Sequence, residues 1–295
     1  LMSEDFLKNP ASLTLLLAQA DAGDLDTLVD YITDSGEGRI SLNNDVCARL
    51  VKCKELNAYT AIDRYLIERE IRTFGGNTLT NIYRDVRSSL PFGSLLDKVL
   101  PDADATVSYV SVVKDVASHL RVPFDKSDDV LIIEGGILRK ILRDSFEKMS
   151  PEERAAVLNE LNVADVGMLG PAASAALIVA GRAGGFATYK LSLVVANAVS
   201  KALLGRGLPL AVNATVARTV GVVLGPIGWV VTGLWTLADM ASPAYRVTVP
   251  CVVQIAYMRQ KAIVEANSKA CPACGARNEC TSSFCDECNH SLEGA

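Results

Sequence analysis

At 295 residues the chain is long enough for one large domain or two ordinary ones, and for a substantial buried core. Hydrophobic residues make up 49% of it and aromatics only 6%, and the mean hydropathy of +0.24 is high for average soluble usage, so the excess lies in the Ala, Val and Leu of packed helices. The net charge of -5 gives no global electrostatic reason for a nucleic-acid partner, and Glu4 and Asp5 stand where a secretory signal would carry basic residues.

Residues 1–164 read as an acidic, helical, soluble region. Leu25, Leu28, Val29 and Ile32 recur at three- and four-residue spacing, as do Ile62, Tyr65, Leu66 and Ile71. Gly36 and Gly38 end the first pattern, Gly75-Gly76 the next, and Pro91 and Pro101 those that follow. FGGN at Phe74 to Asn77 follows a helix rather than a strand, so it reads as a helix terminus and not as a phosphate nest. Ser150, Pro151 and Glu153 supply a capping box for a further helix. His119 sits on a helical pattern without a nucleophile signature, and the pairs Asp128-Asp129 and Glu152-Glu153 read as loop or first-turn charges. Cys47, Cys53 and Cys251 read as buried small hydrophobes. With no GxSxG, phosphate-binding loop or GxGxxG, the chain shows no active site and reads as a non-enzyme.

Residues 165–267 are apolar and glycine-rich. Between Val166 and Met240, Arg182, Lys190, Lys201, Arg206 and Arg218 face one acid, Asp239, a balance that suits an anionic lipid surface. Helices are expected over Pro171–Ala180, Tyr189–Leu204, Leu208–Leu224, Trp229–Met240 and Pro243–Asn267, the last kinked at Pro250. Thr219 to Ala238 carries no charge and is long enough to span a bilayer, but its glycines and Pro226 make it a poor continuous helix. Ala217, Gly221 and Gly225 form a small-residue stripe, as do Ala172, Ala176, Ala180 and Gly184, which lets helix backbones approach in lipid or in a core. Gly225, Pro226 and Gly228 in GPIG read as the turn of a helical hairpin. Trp229 and Trp235 read as core packing, or as interface anchors if the hairpin meets a membrane. Arg246 is expected to be either exposed or paired, with Asp239 as the favoured partner.

Several stretches carry a family resemblance: EREIRTFGGNTLTNIYR from Glu68 to Arg84, ILRDSFEKMSPEER, LSLVVANAVSKALLGRGL, GPIGWVVTGLW, and SPAYRVTVPCVVQIAYMR from Ser242 to Arg259. Over roughly residues 20 to 263 the chain resembles the YaaW family of bacterial proteins, sometimes grouped with ubiquinol-cytochrome c chaperone-like sequences. The resemblance supplies no catalytic residues.

Residues 268–295 form the zinc-ribbon region: from about Ser268 a short linker leads into the cysteine cluster, where five of the eight cysteines fall within eighteen residues, a clustering that suits metal in a reducing compartment better than disulfide bridges. Cys271-x-x-Cys274 and Cys285-x-x-Cys288 can place four thiolates about 2.3 Å from one zinc ion, a closed and structural coordination. The CPxCG and FCxxC knuckles resemble short zinc ribbons, with Gly275 and Asn289 where a positive φ is required. Cys280 and His290 read as bystanders, and the lack of basic residues beyond Arg277 between the knuckles disfavours nucleic acid.

The sequence therefore predicts an all-α helical bundle with an apolar helical-hairpin core and a small C-terminal zinc ribbon carrying structural Zn2+. The expected function is non-enzymatic: a cytoplasmic bundle that associates reversibly with the inner membrane through anionic lipid, and inserts or forms a pore in stress or defence. The alternative is a chaperone-like assembly protein whose ribbon binds a protein partner. Homo-oligomerisation is left open.

Overall fold

The computed structural model describes residues 6, 8–39, 42–88, 107–152, 154–155, 185–208, 244–285 and 288–292. Eight helices are described: α1 (Leu13–Gln19), α2 (Ala22–Thr33), α3 (Asn44–Glu55), α4 (Ala61–Ser88), α5 (Tyr109–His119), α6 (Val130–Phe146), α7 (Gly185–Leu204) and α8 (Tyr245–Ala266). They are followed by β1 (Ser268–Ala270) and β2 (Arg277–Glu279), paired antiparallel with Lys269 opposite Asn278. The all-α bundle with a C-terminal cysteine cluster is thus as the sequence predicts.

Capping chemistry sets many of the helix starts. Ser12, Asp21, Asn43, Ser108 and Asp129 each accept a first-turn N–H with their side chain. At α4, Thr60 and Asp63 bond reciprocally, Thr60 N–H to Asp63 Oδ2 at 2.8 Å and Asp63 N–H to Thr60 Oγ1 at 3.4 Å. α2 ends through left-handed Asp34 and Ser35 into Gly36 at φ 97°. Beyond α6, Pro151 begins a helical turn as its position after Ser150 predicts, and Arg154 N–H donates to Ser150 O at 3.0 Å.

Two sequence expectations fail on α4. The helix does not stop at Gly75-Gly76 but runs on to Ser88. A Cβ built on Gly75 would lie 2.5 Å from Val112 Cγ2, so the glycine permits close crossing of α4 and α5 rather than ending the helix. The buried stripe of α4 is Ile67, Ile71 and Phe74, whereas Ile62 and Tyr65 are exposed. Of the expected stripe, Ile71 is buried and Leu66 packs against the core, so tertiary packing rotates the buried face away from Ile62 and Tyr65 rather than replacing it.

α8 is the axis of the bundle. It packs against α1, α2, α4, α5, α6 and α7, and every side chain from Val247 to Arg259 is buried. A helix apolar nearly all round belongs at a core centre. α7 begins at Gly185 instead of Tyr189, and α8 continues through Pro250. One buried cluster runs from Phe6 to Met258 and includes side chains of both the acidic and the apolar compositional regions. The ribbon has a separate core of Cys271, Ala276, Cys285 and Leu292. No flexible connector precedes it: Asn267 caps α8 and Ser268 opens β1.

Candidate metal centre and the polar core

The ribbon closes two CxxC loops with matching backbone geometry. Gly275 N–H donates to Cys271 O and Asn289 N–H to Cys285 O, each at 2.8 Å, while Cys271 N–H reaches Ala276 O and Cys285 N–H reaches His290 O at the same distance. Gly275 at φ 74° and Asn289 at φ 56° supply the left-handed residues these loops need. The Phe284–Ser291 bridge and the β1–β2 pair hold the two loops face to face.

This brings Cys271, Cys274, Cys285 and Cys288 together, with all four sulfurs within 4.8 Å of one another. Cys271 Sγ lies 3.6 Å from Cys288 Sγ, and Cys274 Sγ lies 3.6 Å from Cys285 Sγ. These separations are far beyond a disulfide of about 2.05 Å. They are close to the edge of about 3.8 Å for a tetrahedron of sulfurs 2.3 Å from a zinc ion. Ala273 N–H points at Cys271 Sγ at 3.4 Å and Asn278 Nδ2 at Cys285 Sγ at 3.6 Å, donors that favour thiolates. The donor set fits a metal ion held by four sulfurs. Cys280 and His290 are exposed and stand outside the group.

A second polar arrangement lies inside the bundle, and sequence reasoning missed it. Arg259 of α8 is 0% exposed and its Nε and Nη2 donate to Glu134 of α6 at 2.8 and 3.1 Å. Tyr109 O–H donates to the same carboxylate at 2.7 Å, and Arg259 also donates to Pro10 O. Burial alone would lower the guanidinium pKa, but Glu134 outweighs it and holds the pKa above its ordinary value. A lone Glu in VLIIEGGIL and a lone Arg near the end of an apolar helix were the available signal.

Other pairs fasten the apolar helices to the acidic ones. Lys261 Nζ donates to Asp24 Oδ2 at 2.9 Å and to Asp21, and Gln254 Nε2 donates to Asp24 Oδ1 at 3.1 Å. Arg206, following α7, donates to buried Asp30, which also receives Lys54. Tyr245 O–H donates to Asp115 at 3.2 Å, and His119 stacks on the Tyr245 ring at 3.7 Å, so His119 fills a packing position. Arg246 is exposed, and Asp239 lies outside the described residues.

A family model described as ubiquinol-cytochrome C chaperone matches residues 121–253. A UPF0174 protein of Helicobacter pylori J99 is 42% identical over 156 residues, which are 52% of this chain and 62% of that relative's length. A second UPF0174 protein of the same strain is 31% identical over 222 residues, 70% of this chain and 97% of the relative. The chain belongs to the UPF0174 family. The UPF0174 protein YaaW of Escherichia coli K12 is 26% identical over 197 residues, 66% of this chain and 70% of the relative. No solved structure matches.

Within this UPF0174 member, the chaperone-family match covers α6, α7 and the first part of α8, and the cysteine ribbon lies beyond it. The expected membrane and helix-packing residues Ala217, Gly221, Gly225, Pro226, Gly228, Trp229 and Trp235, with the stripe from Ala172 to Gly184, lie outside the described residues. Among the described residues no helix is long and apolar enough to cross a membrane. For α8, movement into lipid would carry Gln254, Arg259 and Lys261 away from their partners. Arg206, expected at lipid headgroups, is engaged by Asp30.

Proposed function

We propose that this UPF0174 protein is a non-enzymatic, chaperone-like assembly protein that holds a protein partner through its ribbon, with Cys271, Cys274, Cys285 and Cys288 ligating one structural zinc ion. The chaperone reading is supported by the family-model match to the central helices. The metal reading is supported by the four converging sulfurs. A ribbon of this size depends on its ion for its fold, so zinc makes the docking surface without taking part in chemistry.

The observation that carries the proposal is the direct passage of the core helix α8 into β1. A partner seated on the ribbon is thereby held at a fixed angle to the bundle, as an assembly factor requires and a tethered tag does not. Phe284, 56% exposed beside Cys285, is an aromatic anchor for such a partner.

The test replaces Phe284 in the full chain with a photo-crosslinking amino acid and irradiates living cells. A discrete protein adduct that disappears when Cys271→Ser and Cys274→Ser are added supports the reading. Lipid adducts alone, or none, contradict it.

A further inference from the structure

The four sulfurs of the ribbon divide into an exposed pair and a buried pair. Cys274 and Cys288 are exposed, whereas Cys271 and Cys285 are each 2% exposed. Each exposed sulfur faces a buried one from the opposite loop: Cys274 Sγ lies 3.6 Å from Cys285 Sγ, and Cys288 Sγ lies 3.6 Å from Cys271 Sγ. A disulfide of about 2.05 Å is reached from there by bringing each pair about 1.5 Å closer, a shift that rotation of two side chains supplies. The Phe284–Ser291 bridge and the β1–β2 pair already hold the loops face to face.

That division has a chemical consequence. The thiolate is the form of cysteine that attacks peroxides, and coordination to a metal keeps a thiol deprotonated. Attack by exposed Cys274 Sγ on hydrogen peroxide forms an S–O bond, breaks the O–O bond and releases hydroxide, leaving a sulfenic acid. Cys285 Sγ then attacks the Cys274 sulfur, so an S–S bond forms, the S–O bond breaks and a second hydroxide leaves. The two thiolates have lost two electrons to the peroxide, and two protons from solvent turn the hydroxides into water. Cys288 and Cys271 react in the same way with a second peroxide. A disulfide sulfur carries no negative charge, so the first S–S bond already ends four-thiolate coordination, and a zinc ion departs with its charge unchanged.

The remaining cysteines are set apart from this chemistry. Cys47 and Cys251 are buried and Cys53 is half-buried, and burial pushes all three thiols up, away from the reactive thiolate. Cys280 is exposed but stands outside the four-sulfur group.

We infer that the ribbon is a peroxide-sensitive switch, in which hydrogen peroxide exchanges the four-sulfur zinc site for two disulfides across the loops, Cys274–Cys285 and Cys271–Cys288. This rests on the reading of the ribbon as a zinc site and adds its regulation. Phe284 adjoins Cys285, so the exchange reshapes the surface offered to a partner, and a thiol reductant with zinc restores it.

The full zinc-loaded chain is treated with hydrogen peroxide beside a chromogenic zinc chelator, then alkylated in denaturant and mapped by mass spectrometry. Zinc leaves about ten-fold faster or more with peroxide than without it, one ion for every two disulfides. Proteolysis at Arg277 separates the loops, so cross-loop disulfides keep the two fragments joined and disulfides within a loop release them. Joined fragments, with Cys47, Cys53 and Cys251 recovered as alkylated thiols and the same outcome in Cys280→Ser, support the inference. Disulfides within one loop, or a bond to Cys280, overturn it. A zinc-loaded chain indifferent to peroxide sinks this inference alone, whereas a chain that never takes up zinc sinks the metal reading with it.

Discussion

Arg259 and Glu134 form a two-point ion pair sealed inside the bundle, with the guanidinium carbon 5.9 Å from the centre of the Tyr109 ring. Glu134→Gln leaves the guanidinium without its counter-charge, and such a loss costs about 3–5 kcal/mol. Glu134→Leu with Arg259→Met removes both charges and recovers most of it, because the pair repays little beyond its own desolvation. Urea unfolding of the two variants measures the difference. Equal destabilisation by both contradicts this account of the pair.

Gly75 gives a steric prediction with an internal control. Gly75→Ala gains up to about 1 kcal/mol of helix propensity but drives a methyl into Val112, an overpacking cost of about 1–3 kcal/mol, so the net effect is destabilising. Combined with Val112→Ala, the same substitution becomes neutral or stabilising relative to Val112→Ala alone. Thermal melts of the four proteins check the sign reversal.

Asp24 makes stability depend on pH. Burial raises its pKa from 3.8 to about 6, more than Lys261 lowers it, so between these values the folded state binds more protons than the unfolded one. Its contribution to stability therefore falls as pH rises from about 4 through 6, by about 3 kcal/mol over the whole titration, and levels off about one pH unit above the folded pKa. Asp24→Asn, which cannot ionise, removes this component from a urea series at pH 4.5 to 7. A variant with the same pH slope as the unaltered chain contradicts the assignment.

How much of this was legible depended on the range of the cause. Cysteine spacing, Gly275, Asn289 and the Pro151 helix start are local signals, and the structure places them as the sequence predicts. The rotation of the buried face of α4, the role of Gly75 and the pairing of Arg259 with Glu134 depend on residues tens to more than a hundred positions away. Local pattern reading assigned Gly75 to a terminus because glycine permits both a helix end and a helix crossing. The sparse, one-sided charge between Val166 and Met240 suggested lipid, since a residue such as Arg206 looks unpaired until α2 brings Asp30 beside it.

The ribbon and the bundle have separate cores, so metal removal acts on one of them. Zinc extraction with a strong chelator abolishes the Phe284 crosslink while leaving the helical circular dichroism within about a tenth of its value. Collapse of the helical signal on extraction contradicts separate cores.

The central claim is a four-sulfur metal site built on the end of the core helix, and X-ray absorption at the zinc edge tests it most directly. The account predicts one zinc per chain with four sulfurs at about 2.3 Å, unchanged by Cys280→Ser and lost with Cys271→Ser and Cys274→Ser. A chain purified without metal under reducing conditions that fails to take up zinc, or one whose zinc has nitrogen or oxygen ligands, contradicts it.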